Sequence, residues 1–202
     1  MKLYFSPTSP YVRKVTVLAL ETGLDARIER LVSPTTPIDQ NVEVAKANPV
    51  AKVPTLVTDD GLHLFDSRVI CEYLDTLHDK AKFFPANGPA RWTALREQAL
   101  GDGLLDAALL VRYEGFLRPE DKRWDSWADG QMKKVRGAMA EVDALANGLG
   151  DRVDIGTVSI ACALGYMDFR YGHLDWRKQY AKAAAFADRI FARPSFKATV
   201  PA

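Results

Sequence analysis

Along the first third of the chain, short apolar runs alternate with stretches of helical period. "KLYF" reads as a strand, "PYVRKVTVLALETG" as a helix with one apolar face, and "ARIERLV" as a second strand. Strand, helix and strand in that order predict a βαβ start whose two strands lie parallel. After a polar stretch, "NPVAKVPTLVTDDGLHLF" sets two apolar runs on either side of Asp59-Asp60-Gly61, an Asp-Gly hairpin signal. Val69, Ile70, Tyr73, Leu74 and Leu77 then recur at helical spacing in "DSRVICEYLDTLH".

The grammar changes after residue 78. "DKAKFFPANGPAR" carries Pro85, Gly88 and Pro89 with little apolar period and reads as a linker. Beyond it every periodic segment is helical. One long helix is expected from Trp92 toward Phe116 and a second from about Trp124 to Leu149, with Ala128, Met132, Val135, Met139, Val142 and Leu145 three or four residues apart. In "RVDIGTVSIACALGYMDFR", Asp154 is placed to cap a buried helix with Thr157 three positions on, and Val153 and Val158 stand at the positions of a hydrophobic staple. A last helix, about Trp176 to Phe191, is closed by "ARPSF". The expected architecture is α/β plus all-α: residues 1–78 as a small α/β domain, 79–89 as linker and 90–202 as an all-helical domain.

Composition narrows the function. The chain of 202 residues is 48% hydrophobic, enough for a sizeable core, and its 27 basic and 26 acidic side chains nearly cancel. No Lys/Arg run suits a phosphate backbone or an anionic membrane, so nucleic acid and membrane are not expected partners. The apolar start stops at Ser6-Pro7, too short for a signal-peptide core, and the expected location is the cytoplasm. Cys71 and Cys162 both sit in apolar helical pattern and read as buried packing residues. His63, His78 and His173 lack ligand spacing and read as turn or surface histidines, so no metal is expected. Walker, GxGxxG and GxSxG motifs are absent.

Three local signals remain. Ser9 before Pro10 is a helix cap followed by proline at the first helical position. In "AKVPTL", Val53 is held extended by Pro54, a proline able to follow a cis bond, and an extended residue can pair with a peptide-like ligand. In "FDSRVI", Asp66 and Ser67 open a helix whose free N–H groups and dipole favour a carboxylate. Each one alone is explained by a plain cap or turn.

Together, and in this order within a βαβ–ββα unit, they resemble the thioredoxin-like domain of the glutathione S-transferases. The helical second half resembles that family too, and "SPTSPYVRK", "NPxxKVPxL" and "GYxDFR" resemble its bacterial cytosolic members with serine at the catalytic position. The resemblance implies that Ser9 lies beside the sulfur of glutathione, Val53 before cis Pro54 pairs with the cysteinyl backbone, and Asp66 with Ser67 holds the γ-glutamyl end. Lys52 is implied at the glycyl carboxylate, and Asp102 as an acid reaching a partner subunit's γ-glutamyl amine across a homodimer. The Asp154 and Thr157 pair exchanges the residue types of the family's usual capping box, which preserves the cap.

What the resemblance implies about activity is a glutathione transferase. Free thiol, with a pKa of about 8.5, is only a few per cent thiolate at neutral pH. A hydroxyl donor favours the anion, which then attacks a small hydrophobic electrophile in a pocket lined by Tyr11, the long helices and "WDSWADG". Tyr4 is the rival donor, disfavoured because it sits within the strand, and Arg13, one turn beyond Ser9, reads as a solvated helix arginine or as added positive potential. Serine in place of cysteine at position 9 disfavours thiol reductase chemistry. Two alternatives stay open: a glutathione-dependent isomerase or dehalogenase, and a non-catalytic binding or regulatory protein of the same fold.

Overall fold

The computed structural model describes residues 1–201. It divides into two compact units, Met1–Arg91 with a returning segment that begins at Arg193, and Trp92–Ala192.

In the first unit, strand β1 (Lys2–Phe5) leads into helix α1 (Pro10–Thr22), and strand β2 (Glu29–Val32) returns parallel to β1. Helix α1 starts where it does because Ser9 is extended and accepts the Val12 N–H, while Pro10 supplies the helical φ. It ends at Gly23, whose φ of 82° is a left-handed position open to glycine without steric cost. A short helix α2 (Val42–Ala47) then occupies part of the stretch expected to be merely polar. The Asn41 side chain caps it by accepting the Glu43 and Val44 N–H groups, and only Val44 and Ala47 are buried.

Strands β3 (Thr55–Val57) and β4 (His63–Leu64) form the expected hairpin, with Gly61 at φ 85° in its turn. The sheet order is β2-β1-β3-β4, with β3 antiparallel to both neighbours. Helix α3 (Ser67–Thr76) packs against α1. Leu3, Val15, Leu18, Leu56, Ile70 and Leu74 are fully buried between sheet and helices, each burial contributing about 1.5–3 kcal/mol before entropy. Val69, expected in the apolar stripe, is instead exposed.

The second unit holds most of α4 (Gly88–Phe116), with α5 (Asp125–Leu149), α6 (Ile155–Tyr171), α7 (Trp176–Gln179) and α8 (Ala181–Phe191). Helix α4 begins four residues earlier than the apolar period predicts. Helix α6 is buried along nearly its whole length, Cys162 included, and its capping box is complete. Asp154 Oδ1 accepts the Thr157 N–H at 2.9 Å, and Thr157 Oγ1 accepts the Asp154 N–H at 3.0 Å. Arg152 ties this cap to α4 by donating to both carboxylate oxygens of Glu97 at 2.9 and 2.8 Å, and to Asp154 at 2.6 Å.

The single last helix expected over Trp176–Phe191 is broken at Tyr180, with φ −124° and ψ 68°. The reason lies on α5: Asp143 Oδ1 accepts the N–H groups of Lys182 and Ala183, both at 2.9 Å, and so starts α8 afresh.

A final short helix, α9 (Pro194–Lys197), belongs to the first unit and packs on α1. Arg193 donates to both carboxylate oxygens of Glu21 at 2.8 and 2.7 Å, and Ser195 donates to Glu21 at 2.6 Å.

Candidate functional site

The strand directions bring the three sequence signals to one end of the sheet. β1 runs toward Ser9, β3 starts just after Val53-Pro54, and β4 runs toward Asp66-Ser67. Because β3 is antiparallel to both neighbours, the exits of β1 and β4 flank its entry. Tyr4 pairs with Thr55, and Leu64 with Leu56; continuing the first register by one residue and the second by two sets Pro54 beside Phe5 on one side and Asp66 on the other.

At this end each group is presented in a particular way. The Ser9 hydroxyl oxygen accepts the Val12 N–H at 3.3 Å, a bond that uses a lone pair and leaves the hydroxyl hydrogen free to donate elsewhere. Cap and donor are therefore compatible roles for one serine. The Val53-Pro54 bond is cis, and Val53 is half-buried. Asp66 caps α3 by accepting the Arg68 N–H at 2.8 Å, and the buried Ser67 stands at the first helical position, where N–H groups lack intrahelical partners. The helix dipole adds partial positive charge there. The site is thus suited to a peptide-like ligand with an anionic end.

Family models for the glutathione S-transferase N-terminal domain and C-terminal domain match residues 8–77 and 125–189. The chain is 32% identical, over all of its length and 98% of the relative's, to an uncharacterised GST-like protein, YibF, of Escherichia coli K12. The chain belongs to the glutathione S-transferase family. Among solved structures it matches a family member from Pseudomonas fluorescens Pf-5 with bound glutathione, at TM-score 0.97 and 44% identity, covering 100% of this chain and 98% of that one. A glutathione S-transferase from Methylobacillus flagellatus KT with bound glutathione follows at TM-score 0.91 and 35% identity, covering 100% and 99%.

Within this family member, the remaining expected site residues lie as follows. Lys52 is exposed next to Val53. Asp102 lies on α4, in the helical unit, and is 1% exposed. Tyr4 lies inside β1, paired with Leu31 and Thr55, and its phenol is within electrostatic reach of Lys46 on α2. Arg13 is not the solvated arginine the sequence suggests. It is buried, donates to the Phe196 carbonyl at 3.2 Å and the Thr199 hydroxyl at 3.4 Å, and lies 5.3 Å from the Phe196 ring centre. His78 also departs from the surface reading: its side chain is buried and bonded to Asp75 at 3.0 Å. No cluster of metal-ligating side chains occurs among the described residues.

Sequence reasoning missed Asn48 and Thr55, both buried beside the cis proline. The Asn48 amide donates to the Lys52 carbonyl at 3.2 Å and to Thr55 Oγ1 at 2.9 Å, and Thr55 donates to the same carbonyl at 2.8 Å. Asn48 Oδ1 accepts the Val50 N–H at 3.1 Å. These bonds fix the turn that presents Val53. The only signal for them in the sequence is Asn48 before Pro49, an ordinary turn pair.

Proposed function

We propose that the protein is a glutathione transferase in which the Ser9 hydroxyl donates a hydrogen bond to the glutathione sulfur. The thiolate so favoured attacks a small hydrophobic electrophile. The observation that carries this reading is the meeting of Ser9, Val53-Pro54 and Asp66-Ser67 at one end of the sheet. The glutathione-bound Pseudomonas and Methylobacillus relatives support glutathione as the ligand.

In this reading the Val53 backbone pairs with the cysteinyl residue as a short added strand. Asp66 and Ser67 hold the γ-glutamyl end, and exposed Lys52 meets the glycyl carboxylate. A hydrogen bond to a charged group contributes roughly 1.5–3 kcal/mol. At about 1.36 kcal/mol per pKa unit, it lowers the thiol pKa by about one to two units. Bound thiol at neutral pH then becomes about a quarter to three quarters thiolate, against a few per cent when free, without a general base. Attack on carbon is a displacement or addition by sulfur, and holding the two reactants together supplies much of the remaining acceleration. The working form in this reading is a homodimer, the commonest closed oligomer, which light scattering tests directly.

Calorimetric titration of glutathione, with thiolate absorbance followed against pH, tests the chemistry. Binding with a lowered thiol pKa in wild type, and binding without that lowering in Ser9→Ala, is the expected result. No glutathione binding to the wild-type protein ends the transferase reading.

A further inference from the structure

In the helical unit, two arginines lack the carboxylate partner that others in similar surroundings have among the described residues. Among the described half-buried arginines, Arg91 pairs with Glu72, Arg152 with Glu97 and Asp154, Arg177 with Asp168 and Asp188, and Arg193 with Glu21. Arg112 on α4 and Arg170 on α6 are equally half-buried, yet neither forms an ion pair with a described carboxylate. A guanidinium partly removed from water without a counter-charge is costly, and proteins ordinarily pair it.

The acids nearest in sequence are committed elsewhere. Glu114 accepts from Arg118 at 2.8 Å and from the Trp124 N–H at 2.7 Å, bonds that also hold its carboxyl below the usual range. Asp168 accepts from Arg177 at 2.8 and 2.7 Å and from Trp176 Nε1 at 3.0 Å. Neither is left to neutralise Arg112 or Arg170.

Both guanidiniums are instead held against aromatic rings, Arg112 at 4.1 Å from the Phe116 centroid and Arg170 at 3.8 Å from that of Phe169. Both also act on one phenol, that of Tyr166, which Arg170 approaches closely enough to hydrogen-bond and which carries no charge to neutralise it. Tyr166 and Tyr171 are buried and meet edge to face at 6.4 Å, and Tyr171 donates to the Ala108 carbonyl at 2.6 Å. The half-buried Tyr113 interacts with Tyr166 as well. Burial raises the phenols of Tyr113 and Tyr166, so at neutral pH they remain O–H donors and bring no negative charge of their own. The result is an aromatic surface bearing two unneutralised planar cations and a phenol donor, the complement of an apolar molecule with a carboxylate.

We propose that Arg112 and Arg170, with the Tyr166 hydroxyl, form a carboxylate-binding site in the helical unit, and that the electrophile the protein takes is an apolar molecule bearing a carboxylate. That this ligand is the acceptor rests on the transferase reading; the anion site itself does not.

The unreactive pair p-toluate and p-toluamide separates charge from shape. Wild type is expected to bind the acid at least about tenfold more tightly than the amide, as charge-assisted bonds require. Arg112→Gln and Arg170→Gln are expected to lower the acid to the amide's affinity, and the Lys variants to retain part of the preference. Circular dichroism confirms that each variant is folded. Equal affinity for acid and amide in wild type, or an undiminished preference in both folded Gln variants, overturns the site. A second arm compares p-(chloromethyl)benzoate with its amide as acceptors, where sulfur forms one C–S bond, the C–Cl bond breaks and its electron pair leaves with chloride. The acid-to-amide turnover ratio is expected to exceed one in wild type and to fall in the Gln variants; a ratio of one in wild type overturns the acceptor assignment. If wild type conjugates neither compound while toluate binding still depends on the two arginines, the transferase reading fails and the anion site stands.

Discussion

Asn48 donates its side-chain amide to the Thr55 hydroxyl at 2.9 Å, across the cis Val53-Pro54 bond that lies between them in the chain. Both side chains are buried, and both also donate to the Lys52 carbonyl, so the three groups are satisfied as one network. Asn48→Ala removes the amide and leaves the Lys52 carbonyl with fewer donors. The expected loss is about 1–3 kcal/mol of stability in urea denaturation. Glutathione affinity is expected to fall further than Ser9→Ala lowers it, because the Val53 backbone loses its fixed position. Calorimetry on both variants decides this.

Ser9 offers a way to separate cap from chemistry. Glycine is a good N-cap, costing only a few tenths of a kcal/mol against serine. Ser9→Gly should therefore melt close to wild type while losing the thiol pKa depression of about one to two units. Thermal melts and a pH titration of bound glutathione, run on the same preparation, test the pair of expectations.

The Glu21–Arg193 pair makes a pH-dependent contribution. Hydrogen bonds from Arg193 lower the Glu21 carboxyl from its ordinary 4.5, with Ser195 adding to the effect against the opposing cost of burial. A carboxyl lowered on folding stabilises at pH values above its unfolded pKa, and that contribution is lost as pH falls through the lower folded value. Wild type is thus expected to lose stability in the acid range below about pH 4.5 more steeply than Glu21→Gln, while exceeding it at neutral pH. Because the Arg193 end is partly solvent-exposed, the difference at neutral pH should be no more than about 1 kcal/mol. Urea titrations across pH measure it.

Gly101 and Gly156 let α4 and α6 approach closely. A Cβ on Gly101 would stand 2.7 Å from the Ser159 carbonyl carbon and 2.8 Å from its oxygen, both backbone atoms unable to swing aside. Gly101→Ala is expected to cost roughly 1–3 kcal/mol despite alanine's higher helix propensity. Gly103→Ala, where a Cβ meets nothing within 4 Å, is expected to be neutral or stabilising. Denaturant midpoints of the two variants give the comparison.

Much of this was legible in the sequence because the elements concerned carry strong local signals. The βαβ start, the Asp-Gly hairpin and the α6 capping box are each written in consecutive residues. Helix α2 was not, since six residues with two buried positions give too short a period to detect. The break at Tyr180 depends on Asp143, thirty-seven positions away, and no local pattern encodes it. Arg13 reads as a surface residue because the carbonyl that holds it belongs to Phe196, at the far end of the chain. Likewise the isolation of Arg112 and Arg170 is visible only once Glu114 and Asp168 are seen to be engaged by other partners.

The packing of α9 on α1 also bears on how the chain matures during synthesis. The helix that begins at Ser9 is among the first elements made, yet Arg13 bonds to Phe196 and Thr199, and Glu21 to Arg193 and Ser195, all near the far end of the chain. Domains generally fold in order as they are synthesised. Here the amino-terminal unit emerges first, but the side of α1 that packs on α9 stays uncovered, and its bonds to α9 unmade, until the whole helical unit has been translated. A ribosome stalled just short of Arg193 would display a nascent chain whose earliest-made helix already rests on α3 but still lacks its α9 cover.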